Sequence, residues 1–385
     1  MRLFFIVLLL QILAGSEVDL FVPSLPEMQA HFGLTPFLVE LTLGVNLVAY
    51  CISCLVVGNL GDRYGSRPVI LYSLLIFVIG SVFCTVAPTF SILLLGRALQ
   101  GVGIAGPAAL SYVILAEKYS ASRQQQLLGI VHGIITLSMA FAPVVGSYIS
   151  LFFHWRGNFA TLLLFGGVCF LASALFLPKS EPNPEIHWSL KGYIPLLKST
   201  SALLYTGCII ALISSYWMFI GMAPILYMDD FGVSLAHFGF YQGALAGTFC
   251  LMSFLSGPLL RRFGQKRCFY SSVFLLGVFW LAVAACVIEK VTSPLLITAT
   301  MALASIGNVL PINILYPLAL EAVPRAKGRM SAFMLAGRLL LAAGALQIVS
   351  YTYNGSFLSL GVATCILYVF ALWCGIQLFK RHSPI

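Results

Sequence analysis

Apolar runs of about 20 residues, separated by short polar turns, recur from one end of the chain to the other, and that is the length a helix needs to cross roughly 30 Å of hydrocarbon. Twelve such runs begin near Arg2, Phe37, Val69, Thr89, Gln125, Asn158, Ser201, Ala236, Cys268, Ser293, Arg329 and Ser356. Glycine and proline recur inside them without the two-residue alternation of a membrane β-barrel, so the predicted elements are α-helices. The first run also imitates a cleaved secretory signal, with Arg2, an apolar core and the small residues Ala14-Gly15-Ser16. The expectation is that it stays as a span, because its loss would leave an odd number of spans and discard the acidic residues Glu17 and Asp19.

Composition sharpens this into a fold class. With 60% hydrophobic and 9% charged residues, the chain has too little polar surface to coat a soluble globule. We therefore expect an all-α polytopic membrane protein. The basic residues give its orientation. If both termini are cytoplasmic, Arg63, Arg67, Lys118, Arg123, Arg261, Arg262, Lys266, Arg267, Arg325 and Lys327 fall on the inner side, while the outer loops hold only Arg156 and Lys290. The net charge of +9 then reflects topology and anionic inner-leaflet lipid, and calls for no nucleic acid. The expected location is a bacterial-type inner membrane. Cys51 and Cys54 have CxxC spacing but no second ligand pair, so they read as packing residues, with no metal and no disulfide expected.

After the sixth run comes a polar, proline-rich stretch from Pro178 to Lys191. It predicts an inner linker, 179–200, between six-helix bundles at 1–178 and 201–385. The two bundles echo each other. Gly58-Asn-Leu-Gly-Asp62-Arg63-Tyr-Gly65-Ser-Arg67-Pro68 follows the second run, and Gly257-Pro-Leu-Leu-Arg261-Arg262-Phe-Gly264 follows the eighth with the same interval between glycines. Glu117 with Arg123 is likewise matched by Glu321 with Lys327. Such repeats build many secondary transporters, whose substrate sites lie near the midplane. The second loop has Arg261 where the first has Asp62, so only the first carries the full charge set.

At these residues the chain resembles the major facilitator superfamily. The Gly58 to Arg67 loop is similar to that family's signature between its second and third spans. Leu95-Gly96-Arg97-Ala-Leu-Gln100-Gly101-Val-Gly103 is similar to its arginine-containing fourth-span pattern, and Ser138-Met-Ala-Phe-Ala142-Pro143-Val-Val-Gly146-Ser147 resembles the antiporter motif, with serine or alanine at three usual glycine positions. Asp19-Leu-Phe-Val-Pro23-Ser-Leu-Pro26 and His154-Trp155-Arg156 resemble the Bcr/CflA-like drug/proton antiporters. The resemblance implies the twelve-helix fold of that superfamily and a proton-driven exporter of small organic compounds.

The residues can also be read for their own chemistry. Arg97 lies deep in a span, where an unpaired cation costs about 2.5–3.5 kcal/mol, so it must meet a partner or a wet cavity. As a functional residue it tunes the proton affinity of an acid; as a structural one it pairs with carbonyls. Asp19 is the first candidate acid, since alternating access lets a carboxyl load and release a proton. Glu17 faces another side of the helix, and its plainer reading is contact with outer water or backbone. His132 is a proton-shuttle candidate or, more plainly, a neutral packing residue. Arg338, inside the eleventh span, takes an anionic part of a substrate or a structural partner.

Gly58 and Gly65 permit close approach or positive φ in the signature loop. There Asp62 is expected at the amino-terminal end of the eleventh helix, near Lys327 to Ser331, where the dipole favours an anion. Arg63 or Arg67 is expected to compensate Glu117. These contacts would latch the inner side through partly exposed ion pairs of roughly 0–1 kcal/mol each. The plain alternative is a loop that only fixes topology. Tyr112, Tyr216, Trp217, Tyr227, Tyr241 and Phe249 are cavity candidates, with lipid-facing or interfacial packing as the ordinary role for most of them.

The expectation is a monomeric secondary transporter without a cofactor, whose partners are a small-molecule substrate, protons and lipid. Uptake or release of one metabolite such as a siderophore, and a non-transporting receptor, are the alternatives. No Walker sequence supports an ATP-driven pump, and the scattered intramembrane polar residues do not converge as an enzyme's would.

Overall fold

The structure is a computed structural model, which describes residues 2–34, 36–179, 182, 190–233, 235–353 and 355–381. Much of the expected linker, at 180, 181 and 183–189, lies outside the described residues. The helices are α1 Arg2–Ser16, α2 Leu25–Phe32, α3 Pro36–Tyr64, α4 Ser66–Val86, α5 Phe90–Lys118, α6 Ala121–Phe176, α7 Ile194–Lys198, α8 Thr200–Pro224, α9 Leu235–Ile288, α10 Pro294–Glu321, α11 Lys327–Thr352 and α12 Phe357–Arg381.

Among the described residues, 9 helices are long and apolar enough to cross a membrane, and α1 is a shorter apolar helix. Two of the long ones cannot be single crossings. At 1.5 Å per residue, the 56 residues of α6 and the 54 of α9 each run about 80 Å. Each breaks at a residue of positive φ, His154 (58°) in α6 and Gly264 (77°) in α9. Both therefore hold two spans, and with α1 they complete the twelve apolar runs read from the sequence.

The chain folds as two compact units. The first comprises Met1–Tyr119, Ile134–Pro195 and Val323–Ala336, and the second comprises Ser120–Gly133, Leu196–Ala322 and Gly337–Ile385. Each unit thus includes a short helical segment from the opposite half of the sequence.

In the first unit, α5 is the central helix. Its small residues let neighbouring backbones come close: a Cβ on Gly101 would strike the carbonyl of Asn46 on α3, and one on Gly103 would strike the backbone of Phe77 on α4. Close approach of this kind replaces hydrophobic drive inside a membrane, where lipid is as apolar as leucine. The same device joins α1 to α6. A Cβ on Gly15 would meet Ile135 Cγ2 at 3.0 Å, and one on Gly146 would strike the Leu20 carbonyl.

In the second unit α10 packs on α9 and α8, and α12 on α8. Asn308 ties these together, donating to the Leu212 carbonyl at 3.2 Å and the Tyr368 hydroxyl at 2.7 Å. The sequence repeat is also a conformational one. Gly65 (φ 85°, ψ 156°) and Gly264 (φ 77°, ψ 161°) turn the chain in the same way, a conformation that side chains resist.

Gly103→Ala is expected to destabilise the first unit by about 1–3 kcal/mol through overpacking. The thermal midpoint of the detergent-purified protein should fall, whereas Gly167→Ala, whose Cβ meets nothing within 4 Å, should leave it unchanged.

Candidate functional site

The first unit encloses a charged cluster at membrane depth. Glu17, just past α1, and Arg97 on α5 are both 0% exposed, with Arg97 Nη1 3.2 Å from Glu17 Oε2. The guanidinium also donates to Gln100 Oε1 at 2.6 Å and, through Nε, to the Thr42 carbonyl at 3.2 Å, and it lies 4.3 Å from the Phe21 ring centre. Gln100, one turn along α5, donates in turn to Ser81 Oγ at 2.8 Å. Asn46 donates to the Arg97 carbonyl at 3.1 Å and reaches Glu17.

The folding logic is local. Arg97 and Gln100 share a helical face at i and i+3, as Thr42 and Asn46 do at i and i+4. Gly101 admits α3 closely enough for the two faces to meet. In this setting the pair is coupled tightly, because each charge has lost its water and has the other as compensation.

Sequence reasoning puts Asp19 first for Arg97, but the carboxylate on Arg97 belongs to Glu17. Asp19 stands two residues on, half-buried, near enough for the Glu17 charge to act on it. Among the described residues its side chain has no hydrogen bond or ion pair. Gly146 of the antiporter motif presses on Leu20, the next residue, while Ala142 is buried beside the half-buried Pro143. The motif therefore supports the segment that carries Asp19.

A second cluster of the first unit surrounds Asp62. Its Oδ1 accepts Gly328 N–H at 2.6 Å, and its Oδ2 accepts Arg329 N–H at 3.0 Å and Arg329 Nε–H at 2.7 Å, at the amino-terminal turn of α11. This is the helix end expected from the sequence, but the pair is not the partly exposed one expected. The Asp62 and Arg329 side chains are only 5% and 10% exposed, so the small energies of surface pairs do not apply. Gly58 makes the approach possible, because a Cβ there would meet Ala332 Cβ at 2.5 Å and the Gly328 carbonyl at 2.8 Å.

The expected loop partners of Glu117 also differ. Lys327 and then Lys118 are the cations that act on it, while Arg67 donates to the Ala174 carbonyl at 2.7 Å and Arg63 lies over the Tyr64 ring at 5.0 Å. Gly65 supplies the positive φ that ends this turn.

Gly192 and Tyr193 read in the sequence only as linker, and Arg329 falls within the Lys327 to Ser331 stretch expected for Asp62 without being singled out as its partner. Arg329 Nη1 donates to the Gly192 carbonyl at 2.8 Å, and the buried Tyr193 hydroxyl donates to the Leu55 carbonyl at 2.6 Å. Burial, with Asp62 nearby, raises the Tyr193 pKa and keeps it a hydroxyl donor. A tyrosine after a glycine at the end of a polar linker is the one available signal.

In the second unit His132 Nδ1 bonds Asn313 Oδ1 at 2.8 Å, and Asn313 donates to Ser256 Oγ at 3.0 Å. Arg338 is close enough to act on His132 electrostatically. Tyr216 packs on Trp217 and Phe249, and Tyr241 on Tyr227, with ring centres 5.4–6.1 Å apart. Of these, Tyr227 is buried and Tyr216, Trp217, Tyr241 and Phe249 are half-buried. Tyr112 is half-buried on α5 of the first unit.

Comparison with known proteins bears on the whole chain. The model of the Major Facilitator Superfamily matches residues 7–345. Multidrug resistance protein MdtL of Salmonella heidelberg (strain SL476) is 27% identical over 251 residues, 64% of this chain and 63% of that protein, so the match spans less than two thirds of the relative. The MdtL of Salmonella typhimurium has the same identity over the same span. The crystal structure of the human organic anion transporter MFSD10 (TETRAN) is 18% identical, covers 98% of each chain and has a TM-score of 0.74. The proton:xylose symporter XylE is 16% identical, covers 100% of this chain and 95% of that one, and has a TM-score of 0.70. At these identities the two structures speak for the fold.

Arg97→Ala, which strands Glu17, should cost about 3–5 kcal/mol. The expected outcome is loss of monodisperse protein in detergent, with partial recovery when Glu17→Gln is added. Equal yields for the single and double variants would show that the two charges are not coupled.

Proposed function

The chain belongs to the Major Facilitator Superfamily, and from that premise we propose that it is a proton-coupled antiporter that exports small organic compounds. The observation that carries this reading is the pairing of Glu17 with Arg97 beside Asp19, whose side chain has no partner among the described residues. Because Arg97 compensates Glu17, a proton on Asp19 removes the remaining acidic charge of the cluster. Proton and substrate can then alternate at one place, which is the requirement for exchange. The name of the MdtL relatives, multidrug resistance protein, agrees with export of foreign compounds.

In this reading the halves 1–178 and 201–385 rock about a central site, joined by 179–200, as expected for repeats of this kind. Glu17 and Arg97 hold the coupling site in shape, and His132 is steadied by Asn313 at 2.8 Å as a secondary polar group. Gly58, Asp62, Gly65 and Arg329 form a latch that holds one state, with Arg63, Arg67 and Glu117 around it. The excess of basic residues in the inner segments supports a cytoplasmic latch and cytoplasmic termini in an inner-membrane protein, which this reading takes to act as a monomer. Ala142, Pro143 and Gly146 keep the Asp19 segment seated, while Tyr112, Tyr216, Trp217, Tyr241 and Arg338 are the substrate-facing candidates.

Substrate-induced proton flux in proteoliposomes tests the coupling. Wild type should respond and Asp19→Asn should fall to the level of empty liposomes; flux that persists with unchanged pH dependence excludes Asp19. Asp62→Asn removes the charge that Arg329 and two N–H groups hold. It should raise labelling of cytoplasmic-side cysteine probes, and unaltered labelling would remove Asp62 from the latch.

A further inference from the structure

Arg338 is eleven residues into α11 from Lys327, roughly 16 Å along the helix axis and thus near the middle of a hydrocarbon core about 30 Å thick. Its main chain is engaged, the carbonyl accepting Ser214 Oγ at 3.3 Å. Its guanidinium is not: among the described residues no carboxylate, carbonyl or hydroxyl takes it. The acidic residues of the second unit stand at 229, 230, 289 and 321, all at or just beyond helix ends. A bare arginine at that depth costs about 2.5–3.5 kcal/mol on the insertion scale, so it must meet water or a ligand.

The neighbourhood offers donors and ring faces. Trp217 lies one turn along α8 from Ser214, on the same side as the contact with α11. Tyr216 joins it to Phe249 of α9, 5.4 Å from the Tyr216 ring centre. The residue after Phe249, Cys250, donates its thiol to the Gly133 carbonyl at 3.4 Å, and Gly133 adjoins His132, on which Arg338 acts. The circuit of α8, α9, α6 and α11 thus carries a guanidinium, an imidazole and three aromatic rings. A planar guanidinium binds a carboxylate through paired donors, and aromatic walls take the flat remainder of such a molecule.

We propose that Arg338 anchors the carboxylate, or an equivalent singly charged anionic group, of an aromatic substrate whose ring packs against Trp217, Tyr216 and Phe249. This deepens the exporter reading and rests on it for the presence of a substrate cavity. Arg97 differs in that its Nη1 is already paired with Glu17 and its side chain is wholly buried.

The test is calorimetric titration of the detergent-purified full chain with 2-naphthoate and with its uncharged counterpart 2-naphthamide. Wild type should bind the carboxylate at least about tenfold more tightly, the scale of one charge-assisted hydrogen bond. Arg338→Gln should erase that preference and keep binding of the amide, while Arg338→Lys should retain part of it. Absence of carboxylate binding or of any preference in wild type overturns the proposal. So does a preference that survives Arg338→Gln, or loss of both probes in an Arg338→Gln protein that remains monodisperse, which would mark a structural role. No gradient is present, so failed proton coupling leaves this result untouched, and a failure here leaves the exporter reading standing.

Discussion

The desolvated charge of Arg97 is the constraint around which the first unit is organised. A guanidinium at this depth needs acceptors from several directions, and they come from several elements: Glu17 beyond α1, the Thr42 carbonyl on α3, and Gln100 on α5 backed by Ser81 on α4. No single helix supplies that set, so partnering Nε and Nη1 of one side chain ties these elements together. The glycines of α5 belong to the same requirement, since they allow α3 and α4 to come near enough for short side chains to reach. Packing and electrostatics are here one problem with one solution.

The Asp62 cluster shows a different use of charge. Asp62 takes two backbone N–H groups and a guanidinium N–H at the start of α11, where the helix dipole also favours an anion. All of these contacts converge on one carboxylate. The second copy of the loop, with Arg261 in the corresponding place, keeps the backbone turn at Gly264 and forgoes this chemistry. The two halves of the chain thus share the turn geometry and not the charge.

Much of this was legible in the sequence because it follows from length and periodicity. Twelve apolar runs, the turn glycines, the buried cation at 97 and the docking of Asp62 on the eleventh helix all rest on rules that act locally or on helix ends. What was missed depends on which face of a span points where. Glu17 and Asp19 are two residues apart, and apolar surroundings without a clear amphipathic stripe give no means of choosing between them. Thr42 and Asn46 are ordinary polar residues until α3 is brought onto α5, and Tyr193 gains meaning only when Leu55 offers it a carbonyl. Burial of the Asp62 pair is illegible for the same reason, since tertiary cover leaves no mark in one loop.

The Glu17–Arg97 pair also bears on how the protein is made. Chains enter the membrane from the amino terminus, and domains form in that order during synthesis. The helix bearing Arg97 is the fourth apolar run to arrive, and by itself it carries an uncompensated cation into lipid. Glu17 belongs to the first run and is already there when Arg97 emerges, as are Thr42 and Ser81. Glu17 and Thr42 thus precede the charge they compensate, while Gln100 arrives with Arg97 on the same helix.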